Sequence, residues 1–306
     1  MNIVFMGTPQ FAVPSLELLI KKGYRLSCVV TAPDKPKGRG QKMQSSEVKL
    51  AAERLGLKIL QPEMLRQEDF IGSLKSLNAD LFIVTAFRIL PREVYMIPRL
   101  GAFNLHASLL PKYRGAAPIN WALINGENET GVTSFFLQDK VDTGNIILQE
   151  KIAIHENDSY GTVYEQLSHV GAELTLRTVE LIADGNVKIL PQDDSKASPA
   201  PKIFKSDCLI NWDQPAAKIH NFIRGLSPLP SAFTYLEGRV LKIFDSEVSS
   251  LPSHHPGTLF VKDKVLYVSA SDLCLKLNSL QNEGKKRVSA FDFVNSLDKS
   301  KIYQLS

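Results

Sequence analysis

Asn2-Ile3-Val4-Phe5-Met6-Gly7 is a short apolar run closed by a glycine, and it reads as a buried strand. Apolar residues at Leu16, Leu18, Leu19 and Ile20 then follow a helical spacing that stops at Gly23. The same alternation recurs outward along the chain. Arg25–Thr31 predicts a strand, Ser46–Leu55 a helix and Leu57–Leu60 a short strand. Glu63–Leu77 predicts a helix, Asp80–Ala86 a buried strand, Arg92–Ile97 a short helix and Gly101–His106 a strand. Strands alternating with helices imply βαβ units and an open, mostly parallel sheet. Ligands of such sheets bind beyond the carboxyl ends of the strands.

Further on, Pro118–Asn125 reads as helix, and Val132–Gln138 and Ile146–Ile154 as strands. Ser159–Ala183 carries the longest helical pattern. The composition then changes. Pro191–Pro201 is polar and proline-rich, the signature of an extended linker. Beyond it come a helical patch at Pro215–Gly225 and short strands at Ala232–Tyr235, Val240–Phe244, Gly257–Phe260, Val265–Val268, Leu273–Leu277 and from Val288. Several short strands within a hundred residues argue for a small β-barrel. The expected fold class is α/β: a Rossmann-like sheet domain over 1–188, a linker over 189–204 and an OB-like barrel over 205–306.

The 306 residues suffice for two domains of ordinary size, and 44% hydrophobic with 22% charged residues suits a globular protein. A formal charge of +4 does not by itself demand a nucleic acid. Its distribution says more: from Lys205 to Ser306 there are 13 Lys/Arg against 10 Asp/Glu, which concentrates the excess in the C-terminal third. Cys28, Cys208 and Cys274 are few, odd in number and widely spaced, which excludes a disulfide scaffold and any C-x-x-C zinc motif. The chain enters its first strand without a signal-peptide pattern and has no membrane-length apolar run, so a cytoplasmic location is expected.

The chemistry concentrates between Asn104 and Gly144. N-L-H-A-S-L-L-P-K-Y-R-G-A-A-P-I-N-W spans Asn104–Trp121, and V-D-T-G spans Val141–Gly144. Asn104 and His106 are two apart, so a strand projects both to one face. An isolated N-x-H would read as a turn former and a satisfied core histidine. Here the pair ends a strand, a Gly/Pro-rich loop follows, and Asp142 lies in a second strand-terminal loop. A histidine titrating near neutrality moves protons at working pH. An asparagine N–H can meet an oxyanion, and losing such a donor typically costs about 3 kcal/mol of transition-state stabilisation. No Ser or Cys lies in a nucleophile-elbow context, so direct transfer is expected rather than an acyl-enzyme. The first turn, Gly7-Thr8-Pro9-Gln10-Phe11, lacks the G-x-G-x-x-G spacing, which argues against a nicotinamide oxidoreductase. His155, His169, His220 and the His254-His255 pair lack partners at metal-ligand spacing, so no metal is expected.

Asp34-Lys35-Pro36-Lys37-Gly38-Arg39-Gly40-Gln41-Lys42 places four cations among nine residues, in a loop that reads as too rich in Gly and Pro for helix or strand. Most charge runs are solvated faces. This one follows the second strand, on the ligand-facing edge of the sheet, where it could fold over a phosphate backbone. Arg224, Lys285, Lys286 and Arg287 could extend that footprint.

With G-T-P-Q-F-A at Gly7–Ala12, P-D-K-P-K-G-R-G at Pro33–Gly40, S-L-L-P-K-Y-R-G-A-A-P at Ser108–Pro118 and D-T-G at Asp142–Gly144, the chain resembles the folate-dependent formyltransferases. Ala200–Ile203, Ile210–Trp212 and Ile223–Pro228 extend the resemblance to nearly full length. The basic loop and the barrel are similar to the branch that acts on methionyl-tRNA. The resemblance implies transfer of formyl from 10-formyltetrahydrofolate to the α-amino group of methionine on initiator tRNA, without a metal. Asn104 and His106 would then stabilise the oxyanion, and Asp142 would orient His106. Ser108, Leu109, Leu110 and Pro111 would line the folate pocket. Lys35, Lys37, Arg39 and Lys42 would reach the acceptor stem. Two alternatives are a nucleotide-sugar N-formyltransferase with the same donor and a catalytically silent RNA-binding protein. Two departures stand out: Phe87-Arg88, where the family commonly has Tyr-Gly, and Ser46, where it usually has Pro.

Overall fold

The structure, a computed structural model, describes residues 1–37, 42–298 and 301–306. In chain order the elements are β1 (Asn2–Gly7), α1 (Val13–Lys21), β2 (Arg25–Val30), β3 (Lys35–Lys37), β4 (Lys42–Gln44), α2 (Glu47–Arg54) and β5 (Ile59–Leu60). Next are α3 (Glu68–Ser76), β6 (Leu81–Thr85), α4 (Arg92–Tyr95), β7 (Ala102–His106), β8 (Arg114–Gly115) and α5 (Pro118–Ile124). β9 (Glu129–Phe136), β10 (Ile146–Ala153), α6 (Tyr160–Ala183), β11 (Pro199–Ala200) and α7 (Ala216–Leu226) follow. The last are β12 (Ala232–Leu236), β13 (Arg239–Pro252), β14 (Thr258–Lys262), β15 (Val265–Ser269), β16 (Leu273–Asn282), β17 (Val288–Ser289), α8 (Ala290–Val294) and β18 (Tyr303–Gln304). They form two compact units. The first gathers Met1–Gly115, Thr130–Ile152 and Tyr164–Ala200, and the second Ala116–Glu129, Ala153–Val163 and Pro201–Ser306.

The first unit is built on a sheet of order β10-β9-β7-β6-β1-β2-β5. The pairs β7·β6, β6·β1, β1·β2 and β2·β5 are parallel, and β9 runs antiparallel to β7. Alternation along β1 explains why its sequence is apolar throughout. Ile3 and Phe5 pack with Leu16, Leu19, Val48 and Val179 from α1, α2 and α6. Val4 and Met6 point the other way, to Phe70, Leu74, Val94 and Tyr95 from α3 and α4. Covering both faces in this way is what parallel sheets require. Burial contributes about 1.5–3 kcal/mol per large side chain relative to exposure. Gly171 lets α6 lie against β7: a Cβ there would come within 2.7 Å of Leu105 Cδ2. The strand that carries Asn104 and His106 is thus backed by a tightly apposed helix.

Two local readings are corrected by the structure. The basic loop contains a hairpin, β3 paired antiparallel with β4 through Lys35↔Gln44, Pro36↔Met43 and Lys37↔Lys42. Proline is tolerated because each strand of a two-stranded ribbon has an open edge, where a missing N–H breaks no ladder bond. The hairpin's base is anchored through Asp34, which meets Lys49 Nζ at 2.6 Å and accepts from Gln61 Nε2 at 2.9 Å. Those bonds, that from Lys49 first, hold the Asp34 carboxyl below the usual carboxylate range. The second correction is α3, which begins at Glu68 and not at Glu63. The carbonyls of Pro62 and Glu63 accept from the Arg88 guanidinium at 2.7 and 2.8 Å, so they are committed outside a helix.

Ser46 has a defined role as the cap of α2. Its hydroxyl accepts from Lys49 N at 3.1 Å and pairs with Thr31 Oγ1 at 2.7 Å. Removing such a cap costs about 1 kcal/mol. Ser46→Ala should therefore lower the unfolding free energy by that amount in urea denaturation, with an unchanged midpoint counting against the cap.

The second unit is an antiparallel sheet of order β12-β13-β16-β15-β14-β18, with β17 paired to β16. Leu236 bridges Leu305, and Tyr235 and Ser306 exchange N–H···O bonds of 2.8 and 3.2 Å, so the sheet closes on itself as a small barrel. Leu241, Ile243, Leu259, Leu266, Val268, Leu275 and Leu277 fill it, joined by Ile219, Ile223 and Leu226 of α7. β13 runs for 14 residues where the sequence reads only Val240–Phe244, because irregularities near Asp245 bend it while pairing continues with β16. α5 belongs to this unit. Asn120 Nδ2 donates to Gly225 O at 2.7 Å, and the absent Cβ of Gly225 lets Ile124 approach. Among the described residues no helix is long and apolar enough to cross a membrane.

Candidate active site

β7 delivers the first two residues of the site. Asn104 is half-buried and His106 buried, and Phe103 and Leu105 between and beside them are core residues. Asn104 pairs in register with Val84 of β6 on one side and Phe135 of β9 on the other, which fixes the height at which its side chain emerges. Its amide has no hydrogen-bond partner among the described residues.

His106 is oriented by the backbone. Its Nε2 lies 2.8 Å from Tyr113 O, and a carbonyl can only accept, so Nε2 carries the proton. In the neutral tautomer with that proton, the lone pair is at Nδ1. Asp142 Oδ2 is 3.9 Å from that Nδ1, too far for a hydrogen bond and close enough for charge to act. Asp142 itself adopts φ +55°, a left-handed conformation that Asp tolerates better than most residues. Its Oδ2 accepts from Gly115 N at 2.9 Å. The structure therefore brings Asn104, His106 and Asp142 to one end of the sheet.

The loop after β7 is held by Ser108 itself and by two residues that the sequence reading does not single out, Thr133 and Gln149. Ser108 Oγ donates to Lys112 O at 2.7 Å, closing the turn on itself. Thr133 Oγ1 donates to Ser108 O at 2.6 Å and accepts from Leu110 N at 3.1 Å. Gln149 Nε2 bonds both Leu110 O and Thr133 Oγ1 at 2.8 Å. Leu110 packs on Phe135 and Ile146, and the Leu110–Pro111 peptide is cis. Thr133 lies on β9 and Gln149 on β10, so the loop's position is set by two strands distant in sequence. No local motif could have announced them.

The proline-rich run also reaches the site. β11 pairs parallel with β8, Pro199 opposite Arg114 and Ala200 opposite Gly115. Gly115 has φ +129°, and a Cβ there would stand 2.5 Å from Ala200 O, so only glycine fits. Tyr113 N donates to Ser198 Oγ at 2.9 Å, and Arg114 N to Ser198 O at 2.9 Å.

Arg88 follows β6, with Ala86 before it at φ +47°. Its guanidinium lies over the Phe87 ring at 5.2 Å, and its Nε is buried without a partner. Burial lowers its pKa from the ordinary arginine value. Burial likewise pushes the Cys28 thiol up to about 11, so it is protonated at neutral pH.

The cations expected to meet phosphate are spread over both units. Lys35 is exposed on the first, Arg39 lies outside the described residues, and only the backbone of Lys37 and Lys42 is described. Lys285, Lys286 and Arg287 are exposed on the second, at the turn between β16 and β17. Arg287 stacks over Phe244 at 4.5 Å and donates to Ser279 Oγ at 2.6 Å. Arg224 differs from these: its Nη1 donates to the carbonyls of His155 and Asp158 at 3.1 and 3.2 Å, and burial lowers its pKa. No group of three or more His, Cys, Asp or Glu with metal-binding geometry occurs among the described residues.

The chain as a whole is similar to proteins of known family. Residues 1–179 match the model of the formyl transferase domain, and residues 202–298 that of the formyl transferase C-terminal domain. The methionyl-tRNA formyltransferase of Bacteroides fragilis is 46% identical over 318 aligned positions, covering 100% of this chain and 98% of the relative. That of Parabacteroides distasonis is 49% identical, covering 96% and 95%. Among solved structures, an N-formyltransferase from Helicobacter canadensis, in complex with folinic acid and dTDP-3-aminofucose, aligns with TM-score 0.66 at 22% identity. It covers 92% of this chain and 98% of its own. HypX from Aquifex aeolicus, in complex with tetrahydrofolic acid, aligns with TM-score 0.66 at 16% identity, covering 99% and 50%. Those two share the fold; the matched models and the full-length relatives go further, and by them the chain belongs to the formyl transferase family.

Proposed function

We propose that this protein transfers the formyl group of 10-formyltetrahydrofolate to the α-amino group of methionine on initiator tRNA, a cytoplasmic step of translation initiation. The observation that carries the reading is the convergence of Asn104, His106 and Asp142 at one end of the sheet. The unpartnered Asn104 amide suits a donor kept for a ligand, and the loop from Ser108 to Pro111 gives a fixed wall for the folate. The folate, when bound, supplies the activated formyl group.

In this mechanism the Asn104 N–H donates to the formyl oxygen as negative charge develops there. The amine nitrogen forms its bond to the formyl carbon and gives up a proton, which His106 accepts at Nδ1, the ring position left free by Tyr113. Asp142 balances the imidazolium charge. His106 then returns the proton to the departing folate nitrogen as its bond to carbon breaks, so the ring ends as it began.

The cations of Lys35, Lys37, Arg39 and Lys42 supply the contact with tRNA phosphates, and Lys285, Lys286 and Arg287 add to it from the second unit. Arg224 is the weakest member of the set, because its guanidinium already satisfies two carbonyls.

The test is direct: purified protein, 10-formyltetrahydrofolate and Met-tRNA, scored for formylmethionine on the tRNA. Absence of product with active folate and charged initiator tRNA would refute the reading. A parallel arm offers a nucleotide-linked amino sugar, whose formylation without tRNA would select the sugar enzyme instead. Arg39→Ala should weaken tRNA-dependent activity and flatten its salt dependence, by about 0.9 in log–log slope for each phosphate no longer neutralised. An unchanged slope would remove Arg39 from the tRNA interface.

A further inference from the structure

We infer that Gln192, within the proline-rich run, is a positioning residue for formyl transfer, acting through Asp142. The inference rests on the reading of Asp142 given above. Gln192 Nε2 donates to Asp142 O at 2.9 Å and to Gly144 O at 2.8 Å. Its Oε1 accepts from Arg114 Nε at 3.0 Å and from Arg114 Nη2 at 2.7 Å. One primary amide thus uses both donors and its acceptor on two loops of the site.

The bonds form a closed circuit. Arg114 is followed by Gly115, whose N–H holds the Asp142 carboxylate. The same arginine, through its guanidinium, holds the amide that grips the Asp142 carbonyl. Asp142 is therefore fixed at its backbone and at its carboxylate by one Arg114–Gln192 unit. This matters because Asp142 is a left-handed non-glycine residue whose Oδ2 must stay 3.9 Å from His106 Nδ1. A loop in that conformation relaxes when its backbone bonds are removed.

The same segment reaches the histidine. Six residues after Gln192, the Ser198 hydroxyl holds Tyr113 N, and Tyr113 O is the acceptor that orients His106. Arg114 is further steadied by Asp194 Oδ1 at 2.7 Å from its Nη2. One short stretch of chain therefore sets the carboxylate by its first residue and the imidazole by its seventh. The distance between them depends on both.

The experiment is a double-mutant cycle on formylation kinetics. Outer residues that orient a reacting group typically matter by about 10–100-fold. Gln192→Ala should lower kcat by about that factor, with KM for folate and tRNA changed by less than about threefold. Gln192→Glu keeps the acceptors for Arg114 and the side-chain volume but loses both donors, and it should lose kcat similarly. In an Asp142→Asn background, adding Gln192→Ala should lower kcat by less than about threefold, since the residue it positions no longer acts. Equal losses in both backgrounds would overturn the inference, as would a kcat within twofold of the parent for Gln192→Glu. If Asp142→Asn alone keeps full kcat, the role of Asp142 fails and the inference with it. If Asp142→Asn is slow while both Gln192 variants are fast, the inference alone fails.

Discussion

His106→Ala is expected to reduce kcat for formyl transfer by about 10²–10⁴-fold, the range for loss of a positioned acid–base group. At about 1.36 kcal/mol per factor of ten this corresponds to roughly 3–5 kcal/mol of transition-state stabilisation. The affinity for tRNA should survive, because the cations proposed to meet its phosphates lie elsewhere in the chain. The imidazole is buried and its Nε2 bonds Tyr113 O, so the truncation leaves that carbonyl without its donor. A stability loss of about 1–3 kcal/mol accompanies such an orphaned group, so thermal unfolding belongs beside the kinetics. Single-turnover formylation measures the chemical step, and a filter-binding titration measures the tRNA. A variant that turns over normally would remove His106 from the reaction. One that loses tRNA binding as strongly as turnover would show that recognition and chemistry are not separable at this residue.

Gly144→Ala should be as damaging by a different route. A Cβ at this position would be built 1.6 Å from Phe136 O and 2.9 Å from the carbon of the same carbonyl. No rotamer relieves a clash between Cβ and backbone. The loop must move by an ångström or more, and Phe136 N is also paired there with Asn145 O at 3.0 Å. The expected cost is at least about 3 kcal/mol of unfolding free energy, the upper end for overpacking. Because Asp142 is two residues away, activity should also fall, on the order of 100-fold for an ångström of displacement. Urea denaturation and kcat, read on the same preparation, test both halves. Parental stability with parental kcat would mean that the D-T-G loop has slack that its packing does not suggest.

How much of this was legible beforehand varies with the range of the interactions involved. The first unit's central strands show in the sequence because both of their faces are covered, which makes Asn2–Gly7 and Leu81–Thr85 apolar at nearly every position. Periodicity needs no partner to be seen. Asn104, His106 and Asp142 draw notice for a related reason: polar side chains at the ends of apolar strands are costly to bury for stability alone. Their supports are not visible in this way. Thr133, Gln149 and Gln192 act through hydrogen bonds to backbone carbonyls and amides, which carry no residue identity. The proline-rich run illustrates the limit. Its composition reports an extended backbone, but an extended segment is also what pairs with β8, a strand far back in the chain. The β3–β4 hairpin was hidden for the opposite reason, since its pairing is local and depends on register more than on strand propensity.

The assignment of α5 to the second unit bears on how far the two units could exist apart. The chain contributes to that unit in three separate pieces, two of them inserted within the span of the first. A fragment ending before Pro201 would carry α5 without α7, leaving Asn120 without the Gly225 carbonyl and Ile124 without its close neighbour. A fragment beginning there would lack the helix that covers part of its own core. Gene division, circular permutation or exchange of the barrel between relatives would therefore meet interlaced parts instead of a clean junction. Units interlaced in this way are expected to diverge as one object.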